Sequence, residues 1–237
     1  MAYLLTSWQP YAIMLLKQLK LRQTGGALRL MHNFKLQGCV AGAIRSDDEM
    51  KLIDRDLAEK AFKTQKKELD VFFKEKGFLK YKSNSYIRLN DINVLEYFDL
   101  QKEHYGSKTL TANYALIPLY IPHDFLSFDL GNRLGKLICD KDVWWDYSNE
   151  TVAAVSFRNI IQAIEEYLLP WFKGRTSVDA LKQELENEKI RRIQYGGKLS
   201  VIQQMWFDSL NESDKRGDYD DVISKNMKVL KLPERLR

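Results

Sequence analysis

Apolar and polar positions alternate most regularly between Thr109 and Tyr120, where Leu110, Ala112, Tyr114 and Leu116 are separated by Thr109, Thr111, Asn113 and Ala115. A period of two sends the two sets to opposite sides of a strand, so this stretch reads as half-buried, with one apolar and one largely polar face. Three upstream pieces share its richness in β-branched and aromatic residues: Gly77-Phe-Leu-Lys-Tyr-Lys, Ser85 to Leu89, and Ile92 to Lys102. Ser83-Asn84 and Asn90-Asp91 supply tight turns between them, and Glu103 to Ser107 a longer connection. Together they predict a four-stranded antiparallel meander.

On either side of the meander the apolar period becomes helical. From about Asp54 to Glu75, Leu57, Ala61, Leu69, Phe72 and Phe73, with Phe62 beside them, form a stripe opposite a lysine-rich face. Asp54 and Asp56 suit the positive end of the helix dipole, and Gly77 is a natural stop. Residues 121–147 read as irregular. A helix then starts near Ser148 or Asn149, carries Val152, Ile160, Ile161, Ile164 and Leu168, and is expected to end at Pro170. Thr176 with Asp179 resembles a capping box for a helix through about Arg191, with a narrow apolar edge of Val178, Leu181 and Leu185. Two more stripes follow: Leu199, Ile202, Met205, Trp206 and Leu210, then Val222, Ile223, Met227 and Leu230. The fold class is α+β, a four-stranded antiparallel meander packed against flanking α-helices with a helical C-terminal extension.

Composition sharpens this picture at one place. Residues 1–49 hold six basic residues against Asp47, Asp48 and Glu49, so they carry +3 of the chain's +5 and leave the remainder near neutral. Such a body lacks the concentrated basic face of a nucleic-acid binder, and nucleic acid is not an expected partner. The segment reads as a transit peptide, as a poorly fitting signal peptide, or as a disordered tail or residues upstream of a true start at Met50; the last reading is preferred. The expected divisions are 1–49 as an extension, 50–191 as the α+β domain and 192–237 as the helical extension. Two isolated cysteines, Cys39 and Cys139, fit a reducing compartment. No apolar run approaches the roughly 18 to 20 residues of a membrane-spanning helix.

Most standard chemistry finds no motif. His32, His104 and His123 are scattered outside any H-E-x-x-H or C-x-x-C context, so no metal ligand is assigned and no cofactor is expected. Gly196-Gly197-Lys198 is followed by Leu199 where a phosphate loop needs Ser or Thr for Mg²⁺. There is no G-x-S-x-G elbow, and no catalytic residue is assigned. Among the acids, Glu96 and Asp99 in the third strand point to opposite faces, so their spacing does not make a catalytic pair. The candidate ligand- or partner-binding surface is Arg133, Lys136, Trp144, Trp145 and Tyr147, where cations beside aromatic faces can grip an anionic or planar group or anchor an interface. Of two adjacent tryptophans, one is expected to remain partly exposed.

The order of these features carries a resemblance. An amphipathic helix leads to Gly77-Phe78 and lysines, then Tyr86-Ile87-Arg88, a long apolar strand, Arg133-Leu134-Gly135, Trp144-Trp145 and a helix ending at Leu169-Pro170. Over about residues 56–191 the chain resembles a bacterial family catalogued only as domain of unknown function 4304. That resemblance implies a small cytoplasmic α+β domain and carries no catalytic residues with it. Two functional classes follow: a non-enzymatic protein-binding or accessory protein, immunity-like in role, whose partner is another protein; or an enzyme or binding module for a small anionic or nucleotide ligand at Arg133–Trp145.

Overall fold

The computed structural model describes residues 55–104, 106–128, 130–211 and 219–236. The chain divides between Glu49 and Met50, and the described residues all belong to the second part. The expectations for residues 1–49, including His32 and Cys39, and for the helix start at Asp54 lie outside the described residues.

Helix α1 spans Arg55–Glu75. Its buried stripe runs through Ala58, Ala61, Phe62, Leu69, Phe72 and Phe73, the i, i+3, i+4 spacing that faces a core. Leu57, expected on that stripe, is 59% exposed; Ala58 follows the period and Leu57 falls one position off it. Gly77 ends the helix at φ +80°, and the Phe78 amide returns to the Phe73 carbonyl at 2.9 Å, closing the last turn.

The meander follows as β1 (Leu79–Lys82), β2 (Ser85–Leu89), β3 (Val94–Lys102) and β4 (Thr109–Pro118). Asn90 shapes the β2–β3 loop by accepting hydrogen bonds from the Ile92 and Val94 amides at 3.2 and 2.9 Å, which delays the third strand to Val94. The antiparallel sheet has six strands: β5 (Leu130–Arg133) continues the order β1-β2-β3-β4-β5, and the short β6 (Trp145–Asp146) also pairs with β4. Both lie in the stretch that reads as irregular.

Register sorts the side chains onto two faces. Tyr86 stands opposite Phe98, and Phe98 opposite Tyr114; Tyr86 and Phe98 meet α1 through Phe73, which stacks on Tyr86 at 4.2 Å and tilts against Phe98 at 4.8 Å, while Tyr114 packs edge-on to Trp171. Leu110 and Leu116 share this first face and are buried. The second face departs from the half-buried expectation, because Thr111, Ala115 and Ile117 on it are also fully buried. Cover comes from parts of the chain far away in sequence: the Tyr81 hydroxyl donates to the Leu230 carbonyl at 2.5 Å, and Phe128 packs edge-on to Tyr97.

Helix α2 (Leu134–Cys139) follows β5, and α3 (Glu150–Ala163) is capped by Asn149, whose side chain accepts from the Val152 amide at 3.0 Å. Pro170 does not end this helix. A π turn at Ile164–Leu168 runs straight into α4 (Leu169–Lys173); the Leu169 amide reaches back five residues to Ile164, so the lost Pro170 donor and the ring fall where the hydrogen-bond register has already shifted. Helix α5 (Val178–Gln194) is capped by Ser177, which accepts from the Ala180 amide at 3.2 Å. Thr176, expected in that role, donates to the Lys173 carbonyl instead. Then come α6 (Val201–Asn211) and α7 (Tyr219–Val229). They join the core through Trp206, Leu210 and Ile223, while Met205, expected on the stripe, is 37% exposed. Buried Asn226 fastens α7 to the segment after β4, donating to the Leu119 and Ile121 carbonyls at 2.8 and 2.6 Å and accepting from the His123 amide at 3.1 Å. No helix among the described residues is long and apolar enough to cross a membrane.

Candidate functional site

Across the second face of the sheet, register aligns four polar side chains in one transverse row. Ser85 stands opposite Asp99, Asp99 opposite Asn113, and Asn113 opposite Arg133. At about 4.8 Å between strands the row spans roughly 14 Å across β2, β3, β4 and β5. The next position adds Gln101 opposite Thr111, and the Asn113 amide donates to the Gln101 side-chain oxygen at 3.1 Å. Ser85 accepts from the Tyr97 hydroxyl at 3.1 Å. The neighbouring positions on the same face are apolar, among them Ile87, Tyr97 and Ala115, so the row is a polar inset in a greasy surface.

The two acids of β3 have opposite fates, as alternation predicts. Glu96 lies on the first face, 2% exposed, and is gripped by Arg88 at 2.7 Å; burial still pushes its carboxyl up, the opposing pull of Arg88 being the smaller effect. Asp99 lies on the second face and forms no ion pair among the described residues. Burial pushes its carboxyl up to about 6, with only Asn113 pulling the other way. One Asp99 carboxylate oxygen and the Thr111 hydroxyl are both buried without a hydrogen-bond partner. Such atoms are uncommon in folded proteins, because an unmade bond leaves the desolvation cost unanswered.

The sequence-predicted surface is split by the structure. Arg133 is half-buried at the end of the row; it pairs with Asp142, and its guanidinium lies 5.2 Å from the centre of the half-buried Trp144 ring. Arg133 stands at the N-cap position of α2 but its side chain makes no cap. Trp145 takes the inward position, pairing with Leu110 in register, and is 6% exposed; Tyr147 is 3% exposed and packs on Phe62. Neither offers a face to solvent. Lys136 is exposed on α2 and donates to the Asp140 carbonyl.

Two glycines hold this corner together. A Cβ on Gly131 would run into the Tyr114 carbonyl and the Ala115 Cα, and one on Gly135 would strike the Lys141 carbonyl and the Val143 amide. Close backbone approach there brings β5 against β4 and folds α2 under the Val143–Trp145 segment, which fixes where Arg133 and Trp144 point.

Two clefts lie elsewhere. One of about 290 Å³ opens between Asp91–Asn93 and the start of α7 at Tyr219 and Asp220. Another of about 260 Å³ separates β5 from α5 and is lined by Asn132, Trp171, Glu188 and Arg192 among others. In the second, burial works against ionised Glu188, but hydrogen bonds from Arg192 and Arg191 outweigh it and hold the carboxyl below its usual range. Its acids are already matched, unlike Asp99. Among the described residues no three His, Cys, Asp or Glu side chains gather as metal ligands.

Ser85, Asp99, Gln101, Thr111 and Asn113 were not singled out as site residues from sequence. Alternation assigns each a face, but only strand register aligns them, and the β4–β5 pairing has no periodic signal.

Fold and site define an α+β protein with an antiparallel sheet covered on both faces and a polar row inset in one of them. Residues 69–174 match the family model described as Domain of unknown function (DUF4304), so the expected resemblance holds over that segment. No curated protein and no solved structure matches the chain.

Proposed function

We propose that this chain is a non-enzymatic binding protein whose partner, another protein, docks at the partly exposed corner formed by Arg133 and Trp144, beside the β5 end of the sheet. The observation that carries the reading is the half-exposed Arg133–Trp144 stack, held from below by Asp142 at the end of the polar row. Arginine and tryptophan are the side chains that most often dominate interface energies, and a fixed guanidinium loses little freedom on binding. The setting that goes with this reading is the bacterial cytoplasm, and the role an accessory one of the immunity kind, in which binding itself is the activity.

The test is capture from bacterial extract by the full chain, repeated with Arg133→Ala and Trp144→Ala. A protein retained by the wild type should be lost from both variants, with affinity reduced by about 2 kcal/mol or more and melting temperatures little changed. A partner held equally by all three proteins refutes the docking surface. The alternative, an enzyme or binding module for a small anionic or nucleotide ligand, draws support from Asp99, a carboxyl that exchanges its proton near pH 6. It is weakened at Arg133, whose charge Asp142 already matches. Saturable binding of a nucleotide, abolished by Arg133→Ala, would favour it.

A further inference from the structure

The cleft between β5 and α5 has a buried floor and a charged mouth. At about 260 Å³ it far exceeds the roughly 30 Å³ share of one water. Its floor includes Tyr114, which is only 4% exposed and whose hydroxyl makes no hydrogen bond among the described residues. Burial pushes that hydroxyl up to about 12, with Arg175 pulling the other way and Glu184 adding to the rise, so at neutral pH it keeps a proton to donate. One wall is Trp171, fixed edge-on to Tyr114 at 4.8 Å and covered by the Arg175 guanidinium at 4.2 Å. Exposed Asn132 and Arg191 stand at the mouth.

The charges around this cleft do not balance. Glu184 is matched by Arg175 at 2.6 Å, while Glu188 alone faces both Arg191 and Arg192. One arginine would serve that carboxylate and the helix end; two leave a cation over. Arg191 reaches Glu188 through Nε and Nη2, and Arg192 reaches it through Nε, so each guanidinium keeps N–H donors to spare. The Asn132 side-chain oxygen accepts from the Arg133 amide, and its NH₂ group makes no hydrogen bond among the described residues. The spare groups of Tyr114, Asn132, Arg191 and Arg192 are therefore all donors, and all four residues line one cavity.

We infer that the cleft between β5 and α5 is a receptor for a small oxyanion, the carboxylate or phosphate group of a small polar molecule. Convergent N–H and O–H donors with one surplus positive charge are what such a group requires, and the guanidinium fork suits either. The anion sits at the two arginines, held beside Glu188, and the body of the molecule reaches inward to the Tyr114 hydroxyl. This site goes beyond the docking corner at Arg133 and Trp144 and shares no residue with it.

The experiment titrates the full chain with sodium phosphate and with sodium acetate at constant ionic strength, with sodium chloride as the comparison. The amide resonances of Gly131, Asn132 and the last turn of α5 report binding. Both oxyanions are expected to give saturable shifts there that chloride does not. Arg191→Gln should weaken binding at least tenfold and Tyr114→Phe at least threefold, while Arg133→Ala binds as wild type does. Tyr114→Phe keeps the ring on Trp171 and Arg191 is exposed, and a melt of each variant confirms the fold. Phosphate binding tenfold more tightly than acetate identifies a phosphate carrier, and equal or tighter acetate binding identifies a carboxylate; either outcome supports the site. Shifts no different from those with chloride overturn the inference. So does a loss caused by Arg191→Gln but not by Tyr114→Phe, which would mark mere pairing with a surface arginine. Loss in Arg133→Ala with both cleft variants unaffected also overturns it, and would place the anion at the docking corner instead.

Discussion

Replacing Asp99 by asparagine should stabilise the protein at neutral pH, and by an amount that depends on pH. The carboxyl is pushed up to about 6 in the folded chain, against about 3.9 when unfolded. A raised acid means that the folded state keeps a proton the unfolded state has released, so stability falls as pH rises from about 4 to about 6 and stays reduced above. A rise from about 3.9 to about 6 corresponds to about 3 kcal/mol; because Asp99 is partly exposed and solvent screens it, about 2 kcal/mol is the working figure. Asparagine keeps the shape and the contact with Asn113 but has no charge to desolvate. The other groups facing Asp99 do not obscure the comparison: Tyr97 is pushed up to about 12, with burial as the main cause and the Asp99 charge second, and Ser85 and Asn113 do not titrate. Glu96 titrates in both proteins and cancels in the difference. Urea melts of wild type and Asp99→Asn at pH 4, 5, 6, 7 and 8 should coincide at pH 4 and separate to about 2 kcal/mol by pH 7, or roughly 4–8 °C in a thermal melt. A difference that does not vary with pH, or a variant less stable than wild type at pH 7, would refute the claim that Asp99 is an unanswered charge.

The tryptophan pair should separate cleanly: Trp145→Ala is expected to cost about 3–5 kcal/mol as a core deletion, and Trp144→Ala under about 1 kcal/mol for one partly exposed cation–π contact, both read by denaturant melts. Equal losses would place both rings in the core. Gly131→Ala should detach β5 from β4, because its methyl collides with backbone rather than with a flexible side chain. Faster hydrogen exchange at the β5 amides checks this, and unchanged exchange would show that the strand accommodates a Cβ.

Much of the scaffold was legible because its signals are local. Alternation in β4, the helix start near Ser148 or Asn149 and the glycine stop at Gly77 each depend on a few adjacent residues, and each is found where the pattern places it. Leu57, Thr176 and Pro170 misled because competing solutions lie one residue away or in the turn before: Ala58 keeps the period, Ser177 makes the cap, and the π turn lets a helix pass through a proline. Strands β5 and β6 were invisible because each is short and lacks alternation, so β4 itself is what makes them strands. The same reason hid the polar row. Trp144 and Arg133 were visible as unusual residues, but that Asp99 belongs with them follows only from pairings between strands far apart in the chain.

The cover of the second face has a consequence for what can be inherited as a unit. The segment matching the family model stops at Gly174, yet the residues that close that face, Leu230 against Tyr81 and Asn226 against the strand exit, come some fifty positions later. A relative sharing only the matched segment must therefore roof its sheet with some other structure, or leave it open as a binding surface. The stretch that relatives hold in common and the stretch that can stand by itself are then different things. Transplanting residues 69–174 alone would carry the sheet without its roof, and should yield a sticky, poorly soluble fragment rather than a smaller working protein.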